Sequence, residues 1–266
     1  MLNRILAPLS AAWKEATDSQ VWTSIFRHGK PVSNRNRALV MMSNVFLHLH
    51  PVKSRKAGIK LRYTWCMGGI TFFLFLVLTF TGLLLMFYYR PTVEYAYADI
   101  VDLQEHVPLG IMRELHRWGA HAMVITVWLH MLRVFMTGSY KPPREFNWGI
   151  GVVLLVLTLL LSFTGYLLPW DQLAIWAIAV GSNMARATPL LGTEGPLSAS
   201  LTLGDISLIN AGNDARFALL GARSVGQPTL LRFYVLHCVG LPLVAAFLMA
   251  VHFWRVRKDG GISGPM

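Results

Sequence analysis

Four stretches of this chain are apolar for long enough to cross about 30 Å of hydrocarbon, which takes about 20 helical residues. They lie at about 65–89, 115–137, 148–168 and 230–254. In hydrocarbon every backbone N–H and C=O must find its partner inside the segment, so each stretch has to be a helix. Composition agrees, since 54% of the 266 residues are hydrophobic and only 14% are charged, against about 25% charge in an ordinary soluble domain. The expected fold is an all-α membrane protein, a four-helix transmembrane bundle over residues 63–258. An N-terminal extension (1–62) precedes it and a tail (259–266) follows. A connection at 186–228, rich in Gly, Ser, Thr and Pro, joins the third and fourth spans as an external loop.

The net charge of +11 is large enough to attract nucleic acid, but its distribution fits a membrane instead. Eleven Lys/Arg and two acidic residues precede the first span, Lys141 and Arg144 lie between the second and third, and Arg255, Arg257 and Lys258 close the fourth. Nine of the 13 acidic residues, among them Glu94, Asp99, Asp102, Glu105, Asp205 and Asp214, fall in the other two connections. Basic loops stay cytoplasmic, which places both termini in the cytoplasm and implies a lipid partner and no nucleic acid. The first 60 residues hold no continuous apolar run, so no signal peptide is expected. Residues 9–27 read as an amphipathic surface helix. The apolar segment after the third span, LLPWDQLAIWAIAVGSNM, is too short to cross again and is expected along the outer interface, anchored by Trp170 and Trp176.

Of nine histidines, four are placed in a way that demands chemistry. His116 and His130 lie 14 residues apart on the second span, about 40° apart in azimuth and about 21 Å apart along the axis. His237 and His252 lie 15 apart on the fourth, about 60° and about 22 Å apart. The two spans run in the same direction, so His116 meets His237 at an outer level and His130 meets His252 at an inner one. One imidazole from each helix at each level suits axial ligation of two haems stacked across the bundle. Gly68 and Gly82 on the first span, and Gly151 and Gly165 on the third, repeat the 14-residue period. They mark places where neighbouring helices present no side chain to a macrocycle. His121 lies about 140° from His116 and faces elsewhere, and His28, His48, His50 and His106 fall outside the spans. Cys66 and Cys238 belong to no CxxC or CxxCH pair, so neither a zinc site nor an ordinary c-type haem site is signalled.

These residues resemble the cytochrome b family, most closely its short cytochrome b6 form, over about residues 61–265. The landmarks are CMGGI and FYYRPT, HRWGAHAMVITVWLHMLRVF, KPPREFNWGIGVV, FTGYLLPWDQ, GQPTLLRFYVLHCVGLPLVAAFLMAVHF and RKDGGISGP. The spacing of 15 on the fourth span is that of the b6 form. The resemblance implies a subunit of a quinol:electron-acceptor oxidoreductase working by a Q-cycle, with an outer haem b on His116 and His237 and an inner one on His130 and His252. It implies a Rieske iron–sulfur protein and a c-type cytochrome as partners, a dimeric complex, and quinol as substrate. Cys66, in its C-x-G-G context, matches the cysteine that carries a third, covalently attached haem c in b6. Arg117, Arg133 and Arg144 match positions that neutralise haem propionates, and Arg257 and Lys258 lie where the third haem would sit. Tyr166 and Asp171 are candidates for the quinol site. No Pro-Glu-Trp-Tyr motif is present, so a separate subunit is expected to complete that site. The long N-terminal extension and the long 186–228 loop depart from chloroplast b6 and favour a bacterial cytoplasmic membrane.

Three other functions are compatible with some of these features. A dihaem anchor of a dehydrogenase or hydrogenase shares the histidines but not the PWDQ or CMGG segments. A transporter with proton-relaying histidines would carry no pigment. A di-iron desaturase needs HxxH or HxxxH clusters, which are absent.

Overall fold

A computed structural model describes residues 2–19, 22–23, 31–42, 56, 58, 60–106, 108–203 and 206–262. His28, His48, His50 and Asp205 lie outside the described residues, as do parts of the 9–27 segment and the end of the tail. The helices are α1 (Leu2–Asp18), α2 (Asn34–Met42), α3 (Leu61–Thr64), α4 (Met67–Met86), α5 (Ala96–Glu105), α6 (Leu109–Met136), α7 (Glu145–Tyr166), α8 (Gln172–Arg186), α9 (Ala215–Leu220), α10 (Gln227–Val235) and α11 (Leu241–Lys258). A π-turn at Leu236–Gly240 joins the last two. Strands β1 (Thr202–Leu203) and β2 (Ile206–Ser207) pair antiparallel.

Among the described residues four helices are long and apolar enough to cross a membrane: Met67–Met86, Gly110–Met136, Glu145–Tyr166 and Gln227–Lys258. Their outward faces carry exposed apolar side chains such as Phe73, Phe80, Trp128, Leu160 and Phe247, as lipid-facing helices do. The second span starts at Leu109, not 115, because helical geometry continues through the polar turn that carries Arg113 and Glu114. The first starts at Met67, not 65, because Trp65 and Cys66 take left-handed backbone conformations (φ 52° and 49°) that separate α3 from α4. The N-terminal helix α1 runs to Asp18, and residues 20–21 and 24–27 of the expected surface helix lie outside the described residues. The Thr17 and Ser19 hydroxyls donate to the carbonyls of Lys14 and Ala16, local bonds that compete with helix continuation.

The chain divides into two compact units, each holding part of every span. The first comprises Met1–Thr71, Ile125–Val156 and Ala245–Met266. Its anchor is the ion pair Arg255–Asp259 (3.2 Å), both side chains fully buried, with Arg255 also over the Phe146 ring at 5.2 Å. Arg144 Nη2 donates to the Asp259 carbonyl at 3.0 Å, holding the chain that follows α11.

The second unit comprises Phe72–Val124 and Leu157–Val244. Leu167, Ala174, Ile178, Leu220 and Phe233 form one apolar core, which seats α8 and α9. Tyr89, Ala96 and Leu230 form another. The expected interfacial segment is thus the 15-residue helix α8, started by Asp171, whose Oδ1 accepts from Ala174 N at 2.8 Å. The 186–228 connection holds the β1–β2 hairpin and α9, whose N-cap Asp214 accepts from both Phe217 N and Thr193 Oγ1. Asp99, 6% exposed, takes the Arg90 main-chain N–H at 2.8 Å and Arg90 Nη2 at 2.5 Å. The Arg90 guanidinium holds the Asp99 carboxyl below the usual carboxylate range. Burial pushes the Tyr89 phenol well up, and its hydroxyl donates to the Leu168 carbonyl at 2.6 Å. Gln227 clasps the turn after α4 by donating to Pro91 O (2.8 Å) and accepting from Val93 N (2.9 Å).

Candidate cofactor site

The four histidines form two pairs, one in each unit. In the second unit the rings of His116 (α6) and His237 (π-turn) have centroids 6.2 Å apart with planes at 78°. In the first, His130 (α6) and His252 (α11) are 6.4 Å apart at 79°. Two metal–imidazole bonds of about 2 Å, with ring radii of about 1 Å, put two axial imidazoles about 6 Å apart. Both pairs therefore have the separation of a bis-imidazole metal site. Among the described residues no three His, Cys, Asp or Glu side chains converge on a point. A metal held by two imidazoles alone needs its other positions filled by something the chain does not provide, which suits a macrocycle.

Each glycine at the 14-residue period lies against one of these rings. A Cβ on Gly82 would stand 3.1 Å from His116 Cε1, and on Gly165, 2.5 Å from His237 Cε1. The corresponding distances are 3.2 Å from Gly68 to His130 Cε1 and 3.9 Å from Gly151 to His252 Cε1. Sequence reasoning expected these glycines to clear space for a macrocycle. The immediate tenant of that space is the imidazole itself, most tightly at Gly165.

On the fourth span, a plain α-helix would leave His237 and His252 about 60° apart. The π-turn at Leu236–Gly240 removes that mismatch. Its wider i→i+5 turn absorbs one residue, so 15 residues do the work of 14. Pro242 accounts for the place: it has no N–H for the Cys238 carbonyl, and its ring crowds that turn.

Sequence reasoning missed what holds the Nδ1 atoms. His116 Nδ1 lies 2.8 Å from Thr81 Oγ1, and His237 Nδ1 lies 3.2 Å from Thr164 Oγ1 and 3.1 Å from the Leu161 carbonyl. Each threonine donates its single proton to its own helix, at Val77 O and Leu160 O, both 2.8 Å. The oxygens are therefore left to accept from Nδ1–H, which leaves Nε2 as the metal-facing lone pair. The signal was the repeated Thr-Gly dipeptide at 81–82 and 164–165. At the other pair, Nδ1 of His130 and of His252 is buried with no side-chain partner.

The remaining predicted residues divide. Cys66 is a free, exposed thiol at the start of α4, its N–H donating to Thr64 Oγ1 at 3.2 Å. Its neighbours Trp65 and Met67 line a cavity of about 310 Å³ with Leu129, Leu132, Arg133 and Met136. Arg133 also stands 5.7 Å from the Tyr63 ring. Lys258 Nζ lies 4.9 Å over the Trp254 ring, with Arg257 beside it in the last turn of α11. Arg117 pairs with Glu114 at 2.5 Å on α6. Tyr166 is exposed at the end of α7, and Asp171 is the α8 cap already described. His121 packs edge-on against Trp118, 5.6 Å between centroids.

The sequence profile of the cytochrome b family (cytochrome b/b6/petB) matches residues 52–210, well over half of the 266. Among solved structures, a chain of a hyperthermophilic respiratory Complex III superposes with a TM-score of 0.65 at 24% identity. That match covers 87% of this chain and 54% of the other, so this chain spans about half the length of its structural relative. The chain is an integral membrane protein of the cytochrome b family, a membership that implies haem b as its cofactor.

Proposed function

We propose that the chain is the dihaem cytochrome b subunit of a quinol:electron-acceptor oxidoreductase, moving electrons between the two sides of a bacterial cytoplasmic membrane in a Q-cycle. The observation that carries the reading is the pair of imidazole couples, 6.2 and 6.4 Å between centroids, each backed by glycine. A haem b held by these residues would supply one-electron redox chemistry. With one imidazole from each of two helices committed to holding it, the residues would favour electron transfer over oxygen binding. His116 and His237 hold the outer site, and His130 and His252 the inner. Both termini lie in the cytoplasm, as the basic loops require. An electron carried the full way against 100 mV is worth about 2.3 kcal/mol.

Cys66 carries a third haem as haem c by a single thioether. In support, the thiol is exposed and adjoins the apolar cavity that Arg133 lines. Arg133 is placed to take a propionate by bidentate pairing, and Arg257 and Lys258 supply positive charge at the end of α11. Arg144, bound to the Asp259 carbonyl, supports the fold more directly than it supports a propionate. Quinone is reduced beside the inner site, and quinol is oxidised at the outer side, where Tyr166 lies. A Rieske protein, a c-type cytochrome and a subunit bearing Pro-Glu-Trp-Tyr complete a dimeric complex. In support, the structural relative is a respiratory Complex III chain that extends well beyond the matched region.

A redox-resolved optical spectrum of the purified complex tests this. Two b-type waves are expected, and a complex without them sinks the reading. Haem staining on a denaturing gel tests the thioether: stain on this chain, lost in Cys66→Ala, is expected, and stain that persists in Cys66→Ala rules out that attachment.

A further inference from the structure

We infer that Asn147 is a binding residue of the inner cofactor, its side-chain amide donating a hydrogen bond to a propionate of the haem held by His130 and His252. The inference rests on the dihaem reading above. It starts from a buried amide that the fold itself does not use.

Asn147 is 7% exposed, and its Oδ1 is buried with no hydrogen-bond partner. Every other buried polar side chain among the described residues has a hydrogen bond, an ion pair or another contact of its own within the chain. An amide left unpaired in apolar surroundings costs free energy, so a buried one without a partner points to a group that arrives from outside the chain.

Its position says which group. Asn147 stands in the first turn of α7, four residues before Gly151, so the two share a face. That face is turned to the inner pair. A Cβ on Gly151 would lie 3.9 Å from His252 Cε1, and the main chain of Asn147 itself meets the His252 ring. Arg133, three residues beyond His130 on α6, is displaced from the pair in the same direction, toward the α6–α7 connection, and its Nε is also buried.

The line between the two imidazoles crosses from α6 to α11. A ring ligated by both stands along the helices, with its edges about one helical turn from the imidazole level. The only strong hydrogen-bonding groups on a haem are its two propionates, which hang from one edge. Arg144, expected at a propionate, is engaged with the Asp259 carbonyl at 3.0 Å. Asn147, one turn along the same helix, reaches the pocket instead. With no partner to fix it, the amide can turn its NH2 to the carboxylate, and a bond to an ionised acceptor is stronger than one between neutral groups. It anchors the edge of the ring. It also draws negative charge away from that edge, which raises the potential of the site.

The test is a potentiometric titration of the purified complex carrying Asn147→Leu, read together with the propionate bending band of its resonance Raman spectrum. Leucine keeps the volume and removes the amide. Asn147→Thr keeps a donor, and Ser182→Ala removes a buried hydroxyl that is already bonded to Ala179 O at 3.1 Å, far from either pair in the sequence. In Asn147→Leu one b-type wave is expected to fall while the other stays, and the propionate band should move to lower frequency. Threonine should stay near wild type in both, and Ser182→Ala should move neither. Loss of one haem in the leucine variant with retention in the threonine variant also supports the role. A leucine variant with unmoved waves and an unmoved band overturns it, as do equal shifts of both waves or identical behaviour of leucine and threonine. A wild-type complex with no b-type waves defeats the dihaem reading instead, so the two failures are distinguishable.

Discussion

A Cβ on Gly165 would sit 2.5 Å from Cε1 of His237, whereas one on Gly151 would sit 3.9 Å from Cε1 of His252. The first is a collision with a rigid ring and the second is ordinary contact, so the four glycines are not equivalent. Close-packed interiors do not absorb a methyl group where there is no space for it.

Gly165→Ala should therefore be the most damaging of the four alanine substitutions and Gly151→Ala the mildest. Gly82→Ala and Gly68→Ala, at 3.1 and 3.2 Å, should fall between. In Gly165→Ala the loss should be about half of the bound haem b, the share of one site. Haem per complex, measured from the pyridine haemochrome spectrum, checks the order.

The π-turn predicts that one deletion is tolerated where others are not. Removing Val239 shortens the His237–His252 interval from 15 to 14 and lets the helix close as ordinary α. Both histidines then keep one face. Removing Ala246 instead rotates His252 by about 100° relative to the turn above it. Redox titration should find two waves in the first variant and one in the second.

Asp171→Asn should match wild type in thermal stability. Asp171→Ala should lose about 1 kcal/mol, the ordinary cost of an N-cap. The cap bond to Ala174 N needs only a side-chain acceptor, which asparagine retains. If Asp171 also handles protons in quinol oxidation, turnover rather than melting will separate Asn from wild type.

Asp99→Asn should destabilise by about 1 kcal/mol near neutral pH, allowing for the exposure of Arg90. Arg90 lowers the folded-state pKa of Asp99. Its contribution is therefore complete above the unfolded carboxylate value of about 3.9 and is lost as pH falls through the lower folded value. Thermal melts of wild type and Asp99→Asn should converge as pH falls through that window and differ steadily above about pH 5.

The four spans were legible because length and hydrophobicity are local properties, and the histidine pairs because 14 residues nearly close on a helical face. The span boundaries were less legible. Hydrophobicity fades before helical geometry does at Leu109, and the reverse holds at Trp65 and Cys66, where the backbone turns left-handed inside an apolar run. The spacing of 15 was visible, but reading it as an offset assumed an unbroken α-helix, and Pro242 was the overlooked warning. Thr81 and Thr164 were invisible as partners because the imidazoles that donate to them sit 35 and 73 residues away. Arg90 and Asp99 are only nine residues apart, but their pairing depends on a turn and not on a periodic face, so it was not legible either.

The partners in each histidine pair come from α6 and from the fourth span, 121 residues apart for 116 and 237, and 122 for 130 and 252. The first three spans hold every glycine and both threonines of the cradle but only one imidazole per site. A nascent chain at that stage owns two open half-sites and can hold neither cofactor in place. Closure of both waits for a single event, the arrival of the fourth helix beside the second, after which both sites become available together. On the dihaem reading, cofactor loading is expected to wait for the completion of membrane insertion.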